Sequence, residues 1–213
     1  MKNIDLINDD RINEILEGLR AEIKKSEPVI DQIIERTLAS VKSWKYATDE
    51  YFKPIPLFHE INRFKRGRLL KNVQDWKVPG LFSFGFNEND QLFITRNMLG
   101  VNITFGYANT IYQYSETGEI KYFHMRSYEN KERKTALISV GVFRDLEPSV
   151  KVDVTLSRSN DWSACAYFYN MERIEKAVAY SKGWDGMTTY EMIYDEKGLS
   201  KIMIGYLEYW KRR

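Results

Sequence analysis

A polar turn between two apolar, alternating segments recurs along the second half of this chain and constrains its fold more than any other feature. Three copies occupy residues 86–92 (FNENDQL), 114–120 (YSETGEI) and 194–199 (YDEKGL). In each copy an aromatic residue ends one segment and an aliphatic residue opens the next. Asn, Asp, Ser and Gly suit tight turns, whereas aromatic and branched residues suit the flanking strands. Each copy therefore predicts a β-hairpin.

The spacing of the copies predicts a meander. Residues 169–174 (YNMERI) match the same pattern with one residue fewer. The aromatic positions 86, 114, 169 and 194 lie 28, 55 and 25 residues apart, and residues 143–148 (FRDLEP) sit where a degenerate copy would complete the series. A regular period indicates repeated units that contact their neighbours, although turns in any antiparallel protein can be similarly spaced without a duplication. We expect an antiparallel β-meander of about five hairpins over residues 81–213.

Eight segments in and around these copies have the branched and aromatic composition of strands. They are residues 81–86, 91–96, 101–107, 110–114, 119–126, 136–143, 150–156 and 163–169. The clearest is 150–156 (VKVDVTL), where apolar residues alternate with Lys151, Asp153 and Thr155, so that one face of the sheet contacts water or another polar group. Residues 171–180 fit a helix or a strand, and the repeat favours strands.

The first 50 residues are helical in pattern. Ile12, Ile15, Leu16, Leu19 and Ile23 form one apolar stripe over residues 9–25, with Asp9 or Asp10 as the N-cap. Ser26, Glu27 and Pro28 then suggest a second helix start, continuing to about Trp44.

These patterns predict an α+β fold in one continuous domain. An N-terminal helical hairpin (residues 1–50) packs on the sheet, an irregular connector (residues 51–80) with one short helix or strand follows, and the meander is strongly curved or barrel-like. Pro54, Pro56 and Pro79 interrupt the connector.

Composition narrows the class of protein. The single cysteine cannot form an intramolecular disulfide, and the acidic N-terminus lacks the apolar core of a secretory signal. No run approaches the length of a membrane span. We therefore expect a soluble cytoplasmic protein with no membrane partner.

No catalytic, metal-binding or cofactor-binding residues are predicted, and the chain is not expected to be an enzyme. Two histidines and one cysteine cannot build a multi-histidine or CxxC site, and neither common phosphate-binding glycine motif occurs. His59 is expected in a surface or half-buried loop, His124 on the face opposite Phe123, and Cys165 as an inert packed thiol. The alternative is an enzyme whose site lies in a groove of the sheet, with His124 or His59 beside a carboxylate in a deep pocket.

The run 63–71 (RFKRGRLLK) combines five cations with Phe64, which is a composition that can contact phosphates and stack on a base. The whole chain is nearly balanced, with 32 Lys and Arg against 30 Asp and Glu. The missing basic field argues against a nucleic-acid partner, and a solvated connector explains the same residues.

The hairpin motif, as in FNENDQLFI from Phe86 and YDEKGLSKI from Tyr194, resembles the strand-turn units of β-rich bacterial immunity proteins of polymorphic and contact-dependent toxin systems. It is also similar to the YD repeats of Rhs-type proteins, which recur at shorter spacing in larger shells. The resemblance covers residues 81–206 and leaves the helical N-terminus unexplained. It implies a cytosolic antidote that binds one cognate toxin domain and blocks its active site.

Aromatic residues make up 14% of the chain, and Tyr and Trp are common in interfaces. We nominate seven partner-contacting residues at predicted tips and in a glycine-flanked loop: Glu88, Asp90, Glu116, Glu119, Trp184, Asp185 and Tyr190. A structural or oligomeric module remains a third interpretation, in which the N-terminal helices pair copies of the chain into a homo-oligomer.

Overall fold

One antiparallel sheet of thirteen strands dominates the computed structural model, which describes residues 4–71, 73, 78–99, 106–127 and 135–212. The strands are β1 Ser43–Ala47, β2 Leu69–Leu70, β3 Phe82–Phe86, β4 Leu92–Met98, β5 Tyr107–Tyr114, β6 Ile120–Ser127, β7 Thr135–Glu147, β8 Val150–Ser157, β9 Trp162–Asn170, β10 Arg173–Ser181, β11 Thr188–Asp195, β12 Gly198–Ile204 and β13 Leu207–Lys211. The helices are α1 Asp10–Ser26, α2 Ile30–Ser40 and α3 Phe58–Ile61.

The sheet is a meander from β3 to β13, with β1 and β2 added at one edge in the order β3-β1-β2. Strands β3 to β12 form five successive hairpins, and the antiparallel meander is confirmed. The strand interpretation of residues 171–180 is also confirmed, by β10. The strand predicted at 101–107 lies outside the described residues except at its end, where Tyr107 opens β5.

The N-terminal segment is one helical run with a short interruption, so the predicted helical hairpin is wrong. A 3₁₀ turn, Glu27–Val29, connects α1 directly to α2, and Ser26 and Glu27 both keep right-handed helical backbone angles. Because Pro28 lies in the first turn of the 3₁₀ segment, its missing N–H does not force the chain to reverse. Ser26 is no cap, since its hydroxyl donates to Glu22 Oε1 at 2.8 Å.

The predicted cap and apolar stripe of α1 are confirmed. Asp9 accepts a hydrogen bond from the backbone N–H of Arg11 at 3.0 Å, as an N-cap does. Ile12, Leu16 and Leu19 are buried against β7 and β8, where Val152 and Val154 of the alternating strand point toward the helix. No helix in the described ranges is long and apolar enough to cross a membrane.

The helix predicted to reach Trp44 ends four residues earlier. Val41 adopts an extended backbone, and the N–H of Lys42 donates to Phe86 O at 2.8 Å, so the chain leaves the helix and enters the sheet as β1. Val41 and Trp44 still pack against the helix-side core. Because these apolar residues keep the spacing of the helical stripe and pack on the same core, the sequence pattern predicted a longer helix.

The connector covers the opposite face of the sheet. The ring centroid of Phe52 lies 5.2 Å from that of Phe84 and 5.2 Å from that of Phe86, in β3. Farther along, the hydroxyl of Tyr209 in β13 donates to Ile61 O at 2.8 Å. Over its described residues the connector contains one short helix, α3, and one short strand, β2, where one short helix or strand was expected.

The expectation of a strongly curved or barrel-like sheet is wrong, because the sheet is neither closed nor strongly curled. Within the described ranges β2 and β13 each pair on one side only, as the two edges of an open sheet. Closure is one way to bury a face and remove the edges. Here α1 and α2 cover one face and the connector covers the other, so both faces are buried although the sheet does not close into a barrel.

Candidate functional site

A cavity of about 340 Å³ lies between the connector and the sheet face that it covers. We call it the polar cavity, because ionisable and hydroxyl side chains line it. The polar side chains that line it include Lys53, Tyr112, Tyr122, His124, Asp153, Thr155, Cys165 and Tyr167. The connector residues Ile55, Phe58 and Ile61 form the opposite wall, and Trp184 lies on the rim.

A hydrogen-bonded group on neighbouring strands forms the centre of this site. The Tyr122 hydroxyl donates to Asp153 Oδ1 at 2.5 Å and accepts from the Thr155 hydroxyl at 2.6 Å. Gly141 pairs with Tyr122 on one side and with Thr155 on the other. A Cβ at Gly141 would overlap the Tyr122 ring and hydroxyl, so glycine is what allows this ring to lie across β7 and reach β8.

Burial raises the pKa of Asp153 to about 6, although the hydrogen bond from Tyr122 and the charge of Lys53 both act to lower it. A carboxylate out of water loses hydration that one hydrogen bond only partly replaces. Within the described residues Tyr122 is the group that hydrogen-bonds to it. Asp153 is therefore a desolvated carboxylate that still ionises near neutral pH.

His124 is a neutral side chain at neutral pH. Burial, with a smaller contribution from the positive charge of Lys53, lowers its pKa to about 3. A 2.8 Å hydrogen bond joins its Nδ1 to the Thr110 hydroxyl. The prediction that His124 lies on the face opposite Phe123 is confirmed, since Phe123 belongs to the helix-side core.

Lys53 contributes the positive charge of the cavity. Burial acts to lower its pKa, but Tyr112 and Glu50 outweigh that effect and the pKa is raised. Its Nζ lies 3.2 Å from Glu50 Oε1 and 4.3 Å from the centroid of the Phe58 ring. The nearby Tyr112 hydroxyl is buried and forms no hydrogen bond among the described residues.

The structure agrees with the sequence prediction for Cys165 and contradicts the one for His59. Burial raises the pKa of the Cys165 thiol to about 12, which agrees with an inert thiol. His59 was expected in a surface or half-buried loop, and that prediction is wrong: it lies in α3, only 4% exposed, with Nε2 3.1 Å from Glu50 O. The fold of the connector over the sheet encloses its ring.

The seven nominated partner residues do not form one surface. Glu88 and Asp90 lie in the β3–β4 turn and Glu116 and Glu119 at the β5–β6 turn, all at one end of the sheet. Trp184 and Asp185 lie in the β10–β11 turn at the opposite end.

Tyr190 was placed in a loop, and that placement is wrong. It is buried inside β11, with its ring centroid 5.3 Å from that of Tyr209. The strand begins at Thr188, so the glycine-flanked loop is shorter than its composition suggested.

Sequence reasoning singled out His124 and Cys165 but missed Lys53, Tyr112, Tyr122 and the role of Asp153. A signal was present, since Tyr122 and His124 alternate with Phe123 and therefore share a face. The alternation in 150–156 likewise separates Asp153 from the valines. Nothing in the sequence shows that the connector covers this face.

Among the described residues no three His, Cys, Asp or Glu side chains come together as ligands for a metal ion. No known protein family, curated protein or solved structure matches this chain.

Proposed function

We propose that this protein binds a small polar ligand in the polar cavity, with Asp153 as the main hydrogen-bond acceptor. The observation that carries the proposal is a desolvated carboxylate, with a pKa raised to about 6, lining a cavity of about 340 Å³. Ligand sites are typically concave, mostly apolar spaces of about 300–1,000 Å³ with a few converging polar groups. Perturbed pKa values are also concentrated at such sites.

The lining defines the class of ligand. Asp153 calls for a hydrogen-bond donor or a positive charge, and the buried Tyr112 hydroxyl beside Lys53 adds a second polar group. Aromatic walls from Phe58, Tyr167 and Tyr190 favour a flat or ring-shaped body. A molecule about the size of a monosaccharide or a nucleobase, carrying donors on one edge, satisfies these conditions.

Protonation states argue against His124 and Cys165 as catalytic groups. A general base works best when its pKa is near the operating pH, whereas the His124 pKa is about 3. The Cys165 thiol, with a pKa of about 12, is not an activated nucleophile. The cavity does place a histidine and a carboxylate in one pocket, as the enzyme alternative requires, and Asp153 is the group there with a pKa near neutral pH. Because neither an activated nucleophile nor a basic histidine lies beside it among the described residues, we propose ligand binding as its role.

Asp153→Asn should weaken binding of a ligand that the native protein binds. We would screen monosaccharides, nucleosides and primary amines by saturation-transfer NMR, then measure affinities by calorimetry. Removing the charged acceptor should weaken binding by at least tenfold, and native binding should weaken below pH 6 as Asp153 becomes protonated. Asp90→Asn, at an exposed turn, is the matched control. Equal binding by native protein and Asp153→Asn would refute the proposal.

A second candidate function is the toxin-neutralising role implied by the immunity-protein resemblance. The observation that favours it is a set of exposed apolar side chains at two adjacent turns on one end of the sheet. They are Trp184 and Met187 before β11 and Tyr206 and Leu207 at the start of β13. Two strand spacings, about 10 Å, separate these turns. Trp and Tyr are enriched among the residues that dominate binding energy in interfaces.

Trp184→Ala combined with Tyr206→Ala should weaken binding to a cognate toxin domain by about 30-fold or more. Surface plasmon resonance with the purified toxin domain would measure it. The control is Glu88→Ala with Asp90→Ala, at the opposite end of the sheet. Loss of binding in the control pair but not in the aromatic pair would place the interface at the acidic turns and contradict this candidate surface.

A further inference from the structure

A second groove, of about 940 Å³, lies between the end of the connector and β13. We call it the basic groove. Its lining residues come from two distant parts of the chain and are His59, Glu60, Arg63, Phe64, Lys65, Arg66, Tyr209, Trp210, Lys211 and Arg212. Tyr209 also borders the polar cavity, so the two sites lie on either side of its side chain.

The two walls carry the same short sequence pattern. Phe64-Lys65-Arg66 lines one side and Trp210-Lys211-Arg212 lines the other, so each wall offers an aromatic ring followed by two cations. Phe64 is 55% exposed and its ring centroid lies 5.8 Å from that of Phe58, so much of the ring is accessible to a ligand. Aromatic rings interleaved with cations are typical of surfaces that bind single-stranded nucleic acid.

Charge in the groove is strongly one-sided. Its lining contains five Lys and Arg side chains and one carboxylate, Glu60. Arg66 pairs with Glu60 at 3.2 Å, and Arg212 pairs with Asp195 at 2.5 Å. Lys65 and Lys211 are exposed and form no ion pair within the described part of the chain. The nearly neutral whole chain therefore contains a local positive patch with two uncompensated lysines.

One backbone acceptor of the edge strand beside the groove is already occupied by an arginine side chain. Arg63 donates from Nε and Nη2 to Tyr209 O, at 2.9 Å and 2.6 Å, and its guanidinium lies 4.5 Å from the Tyr209 ring centroid. A side chain that occupies an edge carbonyl blocks the ladder that an added strand requires. An acidic peptide strand is therefore a poorer occupant than a ligand read by its phosphates and rings.

We propose that the basic groove binds single-stranded nucleic acid. Lys65 and Lys211 contact consecutive phosphates, and the exposed face of Phe64 stacks on a base, with Trp210 on the opposite wall as the second ring. This placement needs only a short segment, near the lower end of the roughly 4–16 nucleotides that single-strand sites cover. The balanced net charge, which argued against such a partner at the level of the whole sequence, does not describe this patch.

Fluorescence anisotropy with labelled dT12 and rU12 at 50 mM salt would test the groove. Lys65→Ala with Lys211→Ala should weaken binding about tenfold or more, and should reduce the salt slope by about 1.4, since each single-strand phosphate contact contributes about 0.7. Phe64→Ala should weaken binding about 5- to 100-fold, the usual cost of one lost base stack. Asp153→Asn should leave binding unchanged, which separates this proposal from the small-ligand proposal.

The matched control is Lys24→Ala with Lys25→Ala, which removes two exposed lysines from the last turn of α1. It should leave affinity within about twofold. The proposal is overturned if neither oligonucleotide binds at 50 mM salt, if the control pair weakens binding as much as the groove pair, or if a Glu-rich peptide binds as tightly as dT12. Circular dichroism would confirm that each variant is folded.

Discussion

Gly141→Ala is expected to lower the free energy of unfolding by about 3 kcal/mol, a large effect for one added methyl group. The new Cβ would occupy space held by the Tyr122 ring and hydroxyl, so that ring must move. Overpacking of this kind costs about 1–3 kcal/mol, and the lost hydrogen bond to Asp153 adds about 1 kcal/mol or more. Urea denaturation at pH 7 would measure the change.

Two controls separate this explanation from a general effect of alanine. Gly18→Ala, in α1, meets no atom within 4 Å and should stabilise the protein by up to about 1 kcal/mol, because alanine favours the helix. In a double-mutant cycle, Gly141→Ala should cost much less when Tyr122 is already Ala. A full additive cost in that background would show that Tyr122 is not the residue that requires glycine.

His124→Gln and Asp153→Asn are expected to change the pH dependence of stability in opposite directions. The pKa of His124 is about 3 in the folded protein, below the ordinary value of 6.5. As the pH falls, His124 therefore binds a proton in the unfolded chain before it does so in the folded protein. Stability is therefore lost on acidification below pH 6.5, by about 5 kcal/mol over the whole interval. His124→Gln should recover about 3 kcal/mol of that loss at pH 4, relative to pH 7.

Asp153 acts in the opposite sense. Its folded pKa of about 6 lies above the ordinary 3.8, so the native state keeps the proton longer as the pH rises. Asp153 contributes about 3 kcal/mol to the free energy of unfolding below pH 3.8, and this contribution is lost as the pH rises through 6. Asp153→Asn should remove that loss at pH 8, while its side-chain oxygen can still accept from Tyr122.

The two effects nearly cancel in the native protein between pH 4 and pH 6, which makes the single variants informative. Denaturation curves for native protein and both variants at pH 4, 6 and 8 would give the differences directly. Asp161→Asn, at the exposed β8–β9 turn, is the control for loss of a solvent-exposed carboxylate. Parallel pH profiles for all four proteins would mean that neither group is desolvated.

Local patterns predicted the elements of this fold well. The hairpin copies located the turns of β3–β4, β5–β6 and β11–β12, and the valines of residues 150–156 identified the helix-facing side of β8. Such features depend on neighbours in sequence, through turn geometry and two-residue alternation. The strand β1 was missed because Val41 and Trp44 have helical spacing, and only pairing with β3 determines otherwise.

The candidate site could not be assembled from the sequence. Lys53 and Asp153 are 100 positions apart, and they line one cavity because the connector folds back over the sheet. The same step buries His59 and brings Phe64 to Trp210 across the basic groove. A proline-interrupted connector has no period that predicts such a path. The shifted pKa values follow from that burial and therefore could not be predicted from the sequence either.

The proposed ligand site requires a desolvated, ionisable carboxylate at Asp153, in a cavity that the connector covers. A ¹³C NMR titration of the Asp153 side-chain carboxyl in the ligand-free protein tests this most directly, with Asp153→Asn to assign the resonance. The result expected is a pKa of about 6. A pKa near the ordinary 3.8 would show a hydrated carboxylate and would contradict both the buried site and the function proposed for it.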